Sequence, residues 1–274
     1  MKRILVPTDL GPLTDWSLPV AVSLARQHGA EVVLLHYVPS SLAEPALTDA
    51  PISIAAYLNE QAAEAEATLR ALARHSDYTD VSIATVVARG PGGLFGSLAG
   101  QPADLVVVAS QGSSGWQEWL IGSNAEQIVK HVHAPVLVVK QPYATFAPQK
   151  PLCAIDVDER LKGQPAWPFR LGDGVRAFVY VMTPSDPRVA EGIRDWMTEL
   201  ADALHLTDYQ LTIAHDSDVP AGIIHEAERQ GADLILLFTH QKTGLAHLIS
   251  GSVAEDVVNH ATQPVLVMPL PHAV

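Results

Sequence analysis

The chain has 274 residues, of which 48% are hydrophobic and 17% are charged, and its formal net charge is −13 at pH 7. This charge argues against a general nucleic-acid-binding or anionic-membrane surface, because such surfaces attract phosphates with an excess of Lys and Arg. The single cysteine, Cys153, excludes an intramolecular disulfide and a multi-cysteine metal site, and it fits a reducing compartment.

No membrane or export segment is evident in the sequence. No apolar run reaches the roughly 20 residues that a helix needs to span a bilayer. Lys2 and Arg3 are followed at once by a short strand pattern, and Pro7 and Asp9 interrupt the apolar stretch that a signal peptide would need. We therefore expect a cytoplasmic protein.

The first half of the chain alternates strand patterns with helix patterns. Thr14 is the predicted N-cap of the first helix, which His28 and Gly29 close. Helical spacing is clearest in the second helix, whose apolar stripe is Ala55, Leu58, Ala62, Ala65, Leu69 and Leu72. The predicted strands are 2–8, 31–37, 81–88, 105–109 and 136–139. This alternation predicts an α/β fold with a doubly wound parallel sheet.

The block from Ala103 to Lys140 occurs again near the C-terminus. The segment GSVAEDVVNHATQPVLVMP from Gly251 aligns without a gap with GSNAEQIVKHVHAPVLVVK from Gly122. Two copies of domain size indicate a duplicated domain rather than a solenoid. We predict a first domain over 1–140, a linker over 141–150 and a second domain over 151–274.

The second half follows the same order with one departure. Strand patterns restart at 152–155, 175–182 and 209–215, and helix patterns cover 187–204 and 220–230. Residues 158–174 hold Pro165, Trp167 and Pro168 and show no helical stripe. We therefore expect the first helix of the second domain to be missing or shortened.

A loop of small and polar residues, Ser110 to Gly115, follows the strand 105–109, and Gly122 precedes a helix pattern. Helix N-termini present unpaired N–H groups, and glycines let an anion approach the backbone, so this arrangement is typical of a phosphate site. The alternative is that the glycines only permit a tight turn and that Asp9 only caps a loop.

Three chemistries are not expected from the motifs. No Walker lysine follows Gly122, so rapid ATP hydrolysis is not expected. The serines of the loop after the strand 105–109 do not lie in a G-x-S-x-G motif, which would indicate a hydrolase nucleophile, so we assign no catalytic residue. The pairs His131/His133 and His240/His247 lack the spacing of a helical metal site, so we assign no metal ligand.

Both halves resemble universal stress protein domains. The motifs that carry the resemblance are KRILVPTD at 2–9, LLHY at 34–37, ADLVVVAS at 103–110, GS at 122–123 and PVLVV at 135–139. The resemblance implies two tandem five-stranded parallel-sheet domains of the adenine nucleotide alpha hydrolase-like kind, with strand order 3-2-1-4-5. It also implies that the last strands, 135–139 and 264–268, are edge strands, and we expect them to pair intramolecularly because apolar edges need cover.

Nucleotide-binding members of that family use a glycine, two residues, a second glycine, nine residues and then Gly-Ser or Gly-Thr. The first copy fits from Gly112 onward, and Ala109 stands in place of the first glycine. The resemblance implies ATP or a related adenine nucleotide, with Mg²⁺, as the ligand. The implied phosphate residues are Gly112, Ser113, Gly122, Ser123 and Asn124. The implied neighbours of the adenine and ribose are Pro7, Thr8, Asp9, Tyr37, Val108 and Ala109.

Ala109 and its counterpart in the second copy bear on ligand binding. The Ala109 methyl is a small obstruction if φ is negative there and a larger one if φ must be positive. In the second copy the motif reads Phe238, Thr239, His240 and Gln241, and the Phe238 ring would lie where a ribose should lie. We expect no ATP in that half, or a different, more apolar ligand; the alternative is a degenerate half retained for pairing.

The function implied by the resemblance is nucleotide-dependent signalling or protection under stress, without an enzymatic role, by a chain that could also form a homodimer. A ligand-free interaction scaffold and a slow ATP hydrolase are the two alternatives.

Overall fold

The structure is a computed structural model, and it describes residues 1–39, 54–90, 92–110, 128–129, 132–163, 167–239 and 253–270. The chain divides into two compact units. Unit 1 comprises 1–109 and 142–146, and unit 2 comprises 110–141 and 147–274. The predicted domain boundary at residue 140 stays a prediction.

Unit 1 is a parallel α/β layer structure. Its elements in chain order are β1 (Arg3–Pro7), α1 (Thr14–His28), β2 (Glu31–Tyr37), α2 (Ile54–Ala73), β3 (Ile83–Ala88), α3 (Gly93–Ala99) and β4 (Leu105–Ala109). The strands lie in the order β3-β2-β1-β4, and all pairs are parallel. β1, β2 and β4 are nearly continuous runs of buried Val, Leu and Ile, as expected for strands covered on both faces.

Helix α1 begins at Thr14, so the prediction that Thr14 is its N-cap was wrong. Leu13 occupies the N-cap position and makes no side-chain cap. The Thr14 hydroxyl is buried and lies 2.5 Å from the Thr8 hydroxyl, so it ties the helix to the end of β1 instead. The helix ends as predicted at Gly29, whose left-handed φ of 63° a glycine adopts without steric cost.

Helix α2 packs with the predicted stripe. Leu58, Ala62, Ala65 and Leu69 are buried, and Leu72 is half-buried; the side chain of Ala55 lies outside the described residues. A small apolar cluster forms where Ala62 and Ala65 contact Val38. Leu10 packs against the same cluster, which anchors the turn after β1.

Unit 2 contains the remaining strands. Its elements are β5 (Val136–Val139), β6 (Pro151–Ala154), β7 (Ala177–Met182), α4 (Ala190–Ala203), β8 (Gln210–His215), α5 (Val219–Gln230), β9 (Leu234–Thr239), α6 (Val253–His260) and β10 (Val265–Pro269). The strand order is β5-β10-β9-β6-β7-β8. Between β6 and β7 the described residues hold only a short 3₁₀ helix, Glu159–Gly163, where the corresponding segment of unit 1 has α1.

The last strands of the two sequence copies pair with each other, as predicted. β5 and β10 are antiparallel, and Leu137 lies opposite Leu266. Both leucines are fully buried. Across the part of the chain that the structure describes, no helix is both long and apolar enough to cross a membrane.

Candidate functional site

The order β3-β2-β1-β4 creates a crevice at the carboxyl ends of β1 and β4. The chain leaves β1 for β2 on one side, while β4 pairs with β1 on the other side. Ligands of open α/β sheets bind at this kind of switch point, outside the carboxyl ends of the strands. The residues there are Pro7 at the end of β1, Thr8 and Asp9 after it, and Val108 and Ala109 at the end of β4. The structure therefore brings these predicted residues to the carboxyl edge of the sheet.

Thr8 organises the turn between β1 and α1. Its hydroxyl accepts a 2.8 Å hydrogen bond from the backbone N–H of Leu10 and lies against the hydroxyl of Thr14. Its backbone N–H donates to the carbonyl of Leu35 at 2.8 Å. Thr8 was predicted to border the adenine, and these bonds occupy its hydroxyl and its N–H within the protein itself.

Asp9 is exposed at the mouth of the crevice. Its Oδ1 accepts a 2.8 Å hydrogen bond from the backbone N–H of Gly11, which makes a turn of the kind that Asp side chains favour. Between them Leu10 has a left-handed φ of 65°. The alternative prediction that Asp9 caps a loop is therefore seen in the structure, and no bond to its Oδ2 is found among the described residues.

Tyr37 lies two residues beyond the last register pair of β1 and β2, which joins Pro7 to Leu35. Its hydroxyl donates a 2.7 Å hydrogen bond to the carbonyl of Gly90, where φ is 142°. The side chain of Tyr37 therefore holds the turn after β3, and the predicted contact of its backbone with a ligand stays a prediction.

Sequence reasoning did not single out His36, the residue before Tyr37. Its Nδ1 lies 2.8 Å from the Thr8 carbonyl, and because a carbonyl only accepts, this nitrogen carries the proton. His36 thus couples β2 to the loop that carries Asp9. The signal in the sequence was a lone polar residue at the end of the apolar run EVVLLHY.

The backbone conformation of Ala109 decides how much its methyl group would obstruct a ligand in the crevice. Ala109 is half-buried within β4, and the non-glycine residues with positive φ in the described ranges are Leu10 and His205. The negative-φ case therefore applies, and the obstruction is one methyl group without backbone strain. Val108 is buried, so it offers the crevice only its backbone.

The predicted phosphate residues lie outside the described residues. They are Gly112, Ser113, Gly122, Ser123 and Asn124. The same holds for His131, His240 and His247. The predicted contacts with a phosphate stay predictions.

Unit 2 contains an equivalent crevice between β6 and β9. Because Leu5 pairs with Val106 and Leu152 pairs with Ile235, the register places Phe238 at the position of Ala109. A cavity of about 780 Å³ opens there, and Asp156, Arg188 and Phe238 are among its lining residues. A cavity of this size holds a typical small-molecule ligand.

Comparisons with known proteins identify the family. The profile described as "Universal stress protein family" matches residues 1–140 and 184–269. A universal stress protein of Methanocaldococcus jannaschii is 32% identical over 145 residues, which cover 52% of this chain and 83% of that protein. Universal stress protein G of Salmonella typhimurium is 32% identical over 143 residues, which cover 51% of this chain and 99% of that protein.

A solved structure shows the same fold over the whole length. The crystal structure of a universal stress protein from Archaeoglobus fulgidus covers 98% of this chain and 97% of its own, with a TM-score of 0.69 and 18% identity. The profile match extends over well more than half of the chain and includes segments of both sequence copies. The chain therefore belongs to the universal stress protein family.

Proposed function

We propose that this protein is a cytoplasmic protein that acts in the stress response. We also propose that unit 1 binds ATP or a related adenine nucleotide as a regulatory ligand. The observation that carries the proposal is the crevice between the carboxyl ends of β1 and β4, where Asp9 follows β1 and Ala109 ends β4. Ligands of such sheets bind at this point. The spacing of Gly112 and Gly122-Ser123 supports a triphosphate rather than an uncharged ligand.

The described residues fit a nucleoside at this place. Ala109 presents a methyl group with negative φ, so the sugar has to clear one carbon atom and no strained turn. The Oδ2 of Asp9, which has no hydrogen-bond partner among the described residues, is an acceptor for a base amino group or a ribose hydroxyl. The phosphates and Mg²⁺ would be held by the glycine segments, which are those of the predicted phosphate site.

We propose a binding role rather than a catalytic one. A triphosphate at a helix N-terminus is stabilised by backbone N–H groups, and hydrolysis needs a base in line with the terminal phosphorus. No such base was identified in the sequence. Slow hydrolysis is the alternative, and phosphate release that falls in both Gly112→Val and Ser123→Leu would establish it.

The test is a calorimetric titration of the freshly purified full chain with ATP and Mg²⁺, together with mass spectrometry of the small molecules released on denaturation. We expect saturable binding of one nucleotide per chain and a melting temperature that rises with nucleotide concentration. A silent titration at millimolar ATP, with no nucleotide released, would instead support the second candidate, a stress-response interaction scaffold that binds no nucleotide. The turn bond of Asp9 to Gly11 is the observation that favours that candidate.

A further inference from the structure

The cavity of unit 2 has one polar wall, built by the connection between β7 and α4. The hydroxyl of Tyr180 donates a 2.5 Å hydrogen bond to Oδ2 of Asp186 and accepts one of 2.5 Å from Nη1 of Arg188. The same Nη1 lies 3.2 Å from Oδ1 of Asp156, at the end of β6. These bonds fix the four side chains relative to one another, so the wall is preorganised.

The charges of this wall do not cancel. Asp158 also lines the cavity, and Arg160 neutralises it through a paired contact at 3.0 and 2.6 Å. Arg188 then faces both Asp156 and Asp186. Among the described lining residues and Arg160 one negative charge therefore remains, and the more exposed of the two carboxylates is Asp156, at 62% against 8% for Asp186.

Asp156 is also the group with spare hydrogen-bonding capacity. Its Oδ1 accepts from the backbone N–H of Val157 and contacts Arg188. Within the described part of the chain its Oδ2 has no hydrogen-bond partner. An ionised carboxylate only accepts, so a ligand that satisfies Oδ2 must present a donor. A cationic donor makes the stronger bond and also balances the wall's charge.

The described lining also has an apolar part. It is formed by Ile155, Leu161, Ile223, Leu237, Phe238 and Leu270. The ring of Phe238 lies 6.1 Å from that of Trp167, within the range of an aromatic pair, and this contact restrains the Phe238 ring. A flat or branched hydrocarbon body would lose water contact against this surface.

We propose that unit 2 binds a small organic cation with an aromatic or branched apolar body. The ammonium or amidinium group pairs with Asp156, and the body packs against Phe238 and its apolar neighbours. A nucleotide fits this site poorly, because its ribose would meet the Phe238 ring. The inference concerns the other unit of the chain, so it goes beyond the proposed function and stands without it.

The test compares two ligands that share an indole ring and differ in charge, tryptamine and indole-3-propionate, by calorimetry on the full chain. We expect tryptamine to bind at least about tenfold more tightly than indole-3-propionate, a ratio equal to about 1.4 kcal/mol. Asp156→Asn should weaken tryptamine binding about tenfold. Asp195→Asn, the same change at an exposed site on α4 outside the cavity, should leave it unchanged.

Reversal of the charge makes the test sharper. Asp156→Arg should bind indole-3-propionate more tightly than tryptamine, because the excess charge of the wall changes sign. Equal affinities for the two ligands, no measurable tryptamine binding, or tryptamine binding that is the same in Asp156→Asn would each overturn the proposal. ATP should not displace tryptamine, and if it does, the site is a second nucleotide site.

Discussion

Asp104 and Arg3 are joined in both directions. The carboxylate of Asp104 accepts a 2.9 Å hydrogen bond from the backbone N–H of Arg3, and the backbone N–H of Asp104 donates to the carbonyl of Arg3 at 2.9 Å. Asp233 and Lys150 are joined in the same way in unit 2, at 2.9 and 3.2 Å. The Ala-Asp-Leu sequence that occurs in both copies is therefore a clamp between the starts of two neighbouring strands.

Asp104→Ala should destabilise the protein by about 1–2 kcal/mol at pH 7, because the N–H groups of Lys2 and Arg3 lose their acceptor. Those N–H groups hold the pKa of Asp104 below its usual value. A lowered pKa means that the clamp stabilises the folded state above the unfolded pKa of about 3.9 and is lost as pH falls through the folded value. Urea unfolding of wild type and variant should therefore converge in acid. Glu60→Ala, at an exposed position of α2, is the control and should match wild type throughout.

Lys140 should make stability rise with pH in the alkaline range. Burial lowers its pKa to about 8, and its Nζ donates to the carbonyl of Val258 in the last turns of α6. Because an unfolded lysine keeps its proton up to a pH of about 10.4, the unfolded state binds more protons between these values, and stability increases there.

Lys140→Met should abolish that rise, and it should be more stable than wild type at pH 7, where the buried charge is costly. The difference should shrink as pH approaches about 10. Melting curves from pH 7 to 10 measure it, with Lys150→Met, at an exposed lysine, as the matched change. A variant with the same alkaline rise as wild type would show that Lys140 is not its source.

The pKa of His225 should be higher than that of an ordinary histidine. Its Nδ1 lies 2.7 Å from Oδ2 of Asp216, and this bond raises the pKa of His225 and lowers that of Asp216. The pair therefore stabilises the fold below the unfolded histidine pKa of about 6.5, and its contribution is lost as pH rises through the folded value. NMR titration of the His225 ring should show a lower midpoint in Asp216→Asn than in wild type. Asp202→Asn should not move it.

Leu137 and Leu266 should be energetically coupled, since they lie opposite each other on β5 and β10. Each change to Ala should cost about 2–5 kcal/mol, as for fully buried leucines. A double-mutant cycle should give a coupling energy of at least about 0.5 kcal/mol. The control cycle pairs Leu137 with Leu152 on β6, three strand spacings or about 14 Å away, and should be additive. Additivity in both cycles would contradict the observed pairing.

Ala109→Phe should abolish ATP binding by unit 1, because it places at that position the ring that Phe238 places in unit 2. Ala109→Gly should strengthen binding by no more than about tenfold, since one unstrained methyl group is a small obstruction. Titration calorimetry measures both, with Ala71→Phe on the exposed face of α2 as the control for adding a ring. Unchanged affinity in Ala109→Phe would place the nucleotide elsewhere.

The sequence predicted most of the sheet and part of the site. The bounds of β2, β4 and β5 came out as observed, because each is a buried apolar run closed by Gly, Pro or polar residues. Thr14 was misplaced as a cap because its hydroxyl bonds across the turn to Thr8, a tertiary contact that local helix signals do not contain.

The polar wall in unit 2 was missed for a similar reason. Tyr180, Asp186 and Arg188 lie on a strand and the turn after it, and only the folded turn brings their polar ends together. Phe238 was noted in the sequence, but only as a ring that would lie where a ribose should lie. Comparison of the two sequence copies shows which ligand-binding residues the second copy lacks. It does not show which side chains line the cavity instead, because these come together only in the folded structure.

The antiparallel union of β5 and β10 has a consequence for dilution. If the two edge strands belonged to separate chains, the chains would have to associate to cover them, and the associated fraction would fall as the protein concentration decreases. Here both strands belong to one polypeptide, so their local concentration is set by the intervening residues and not by the amount of protein. We therefore expect this contact to be independent of the protein concentration.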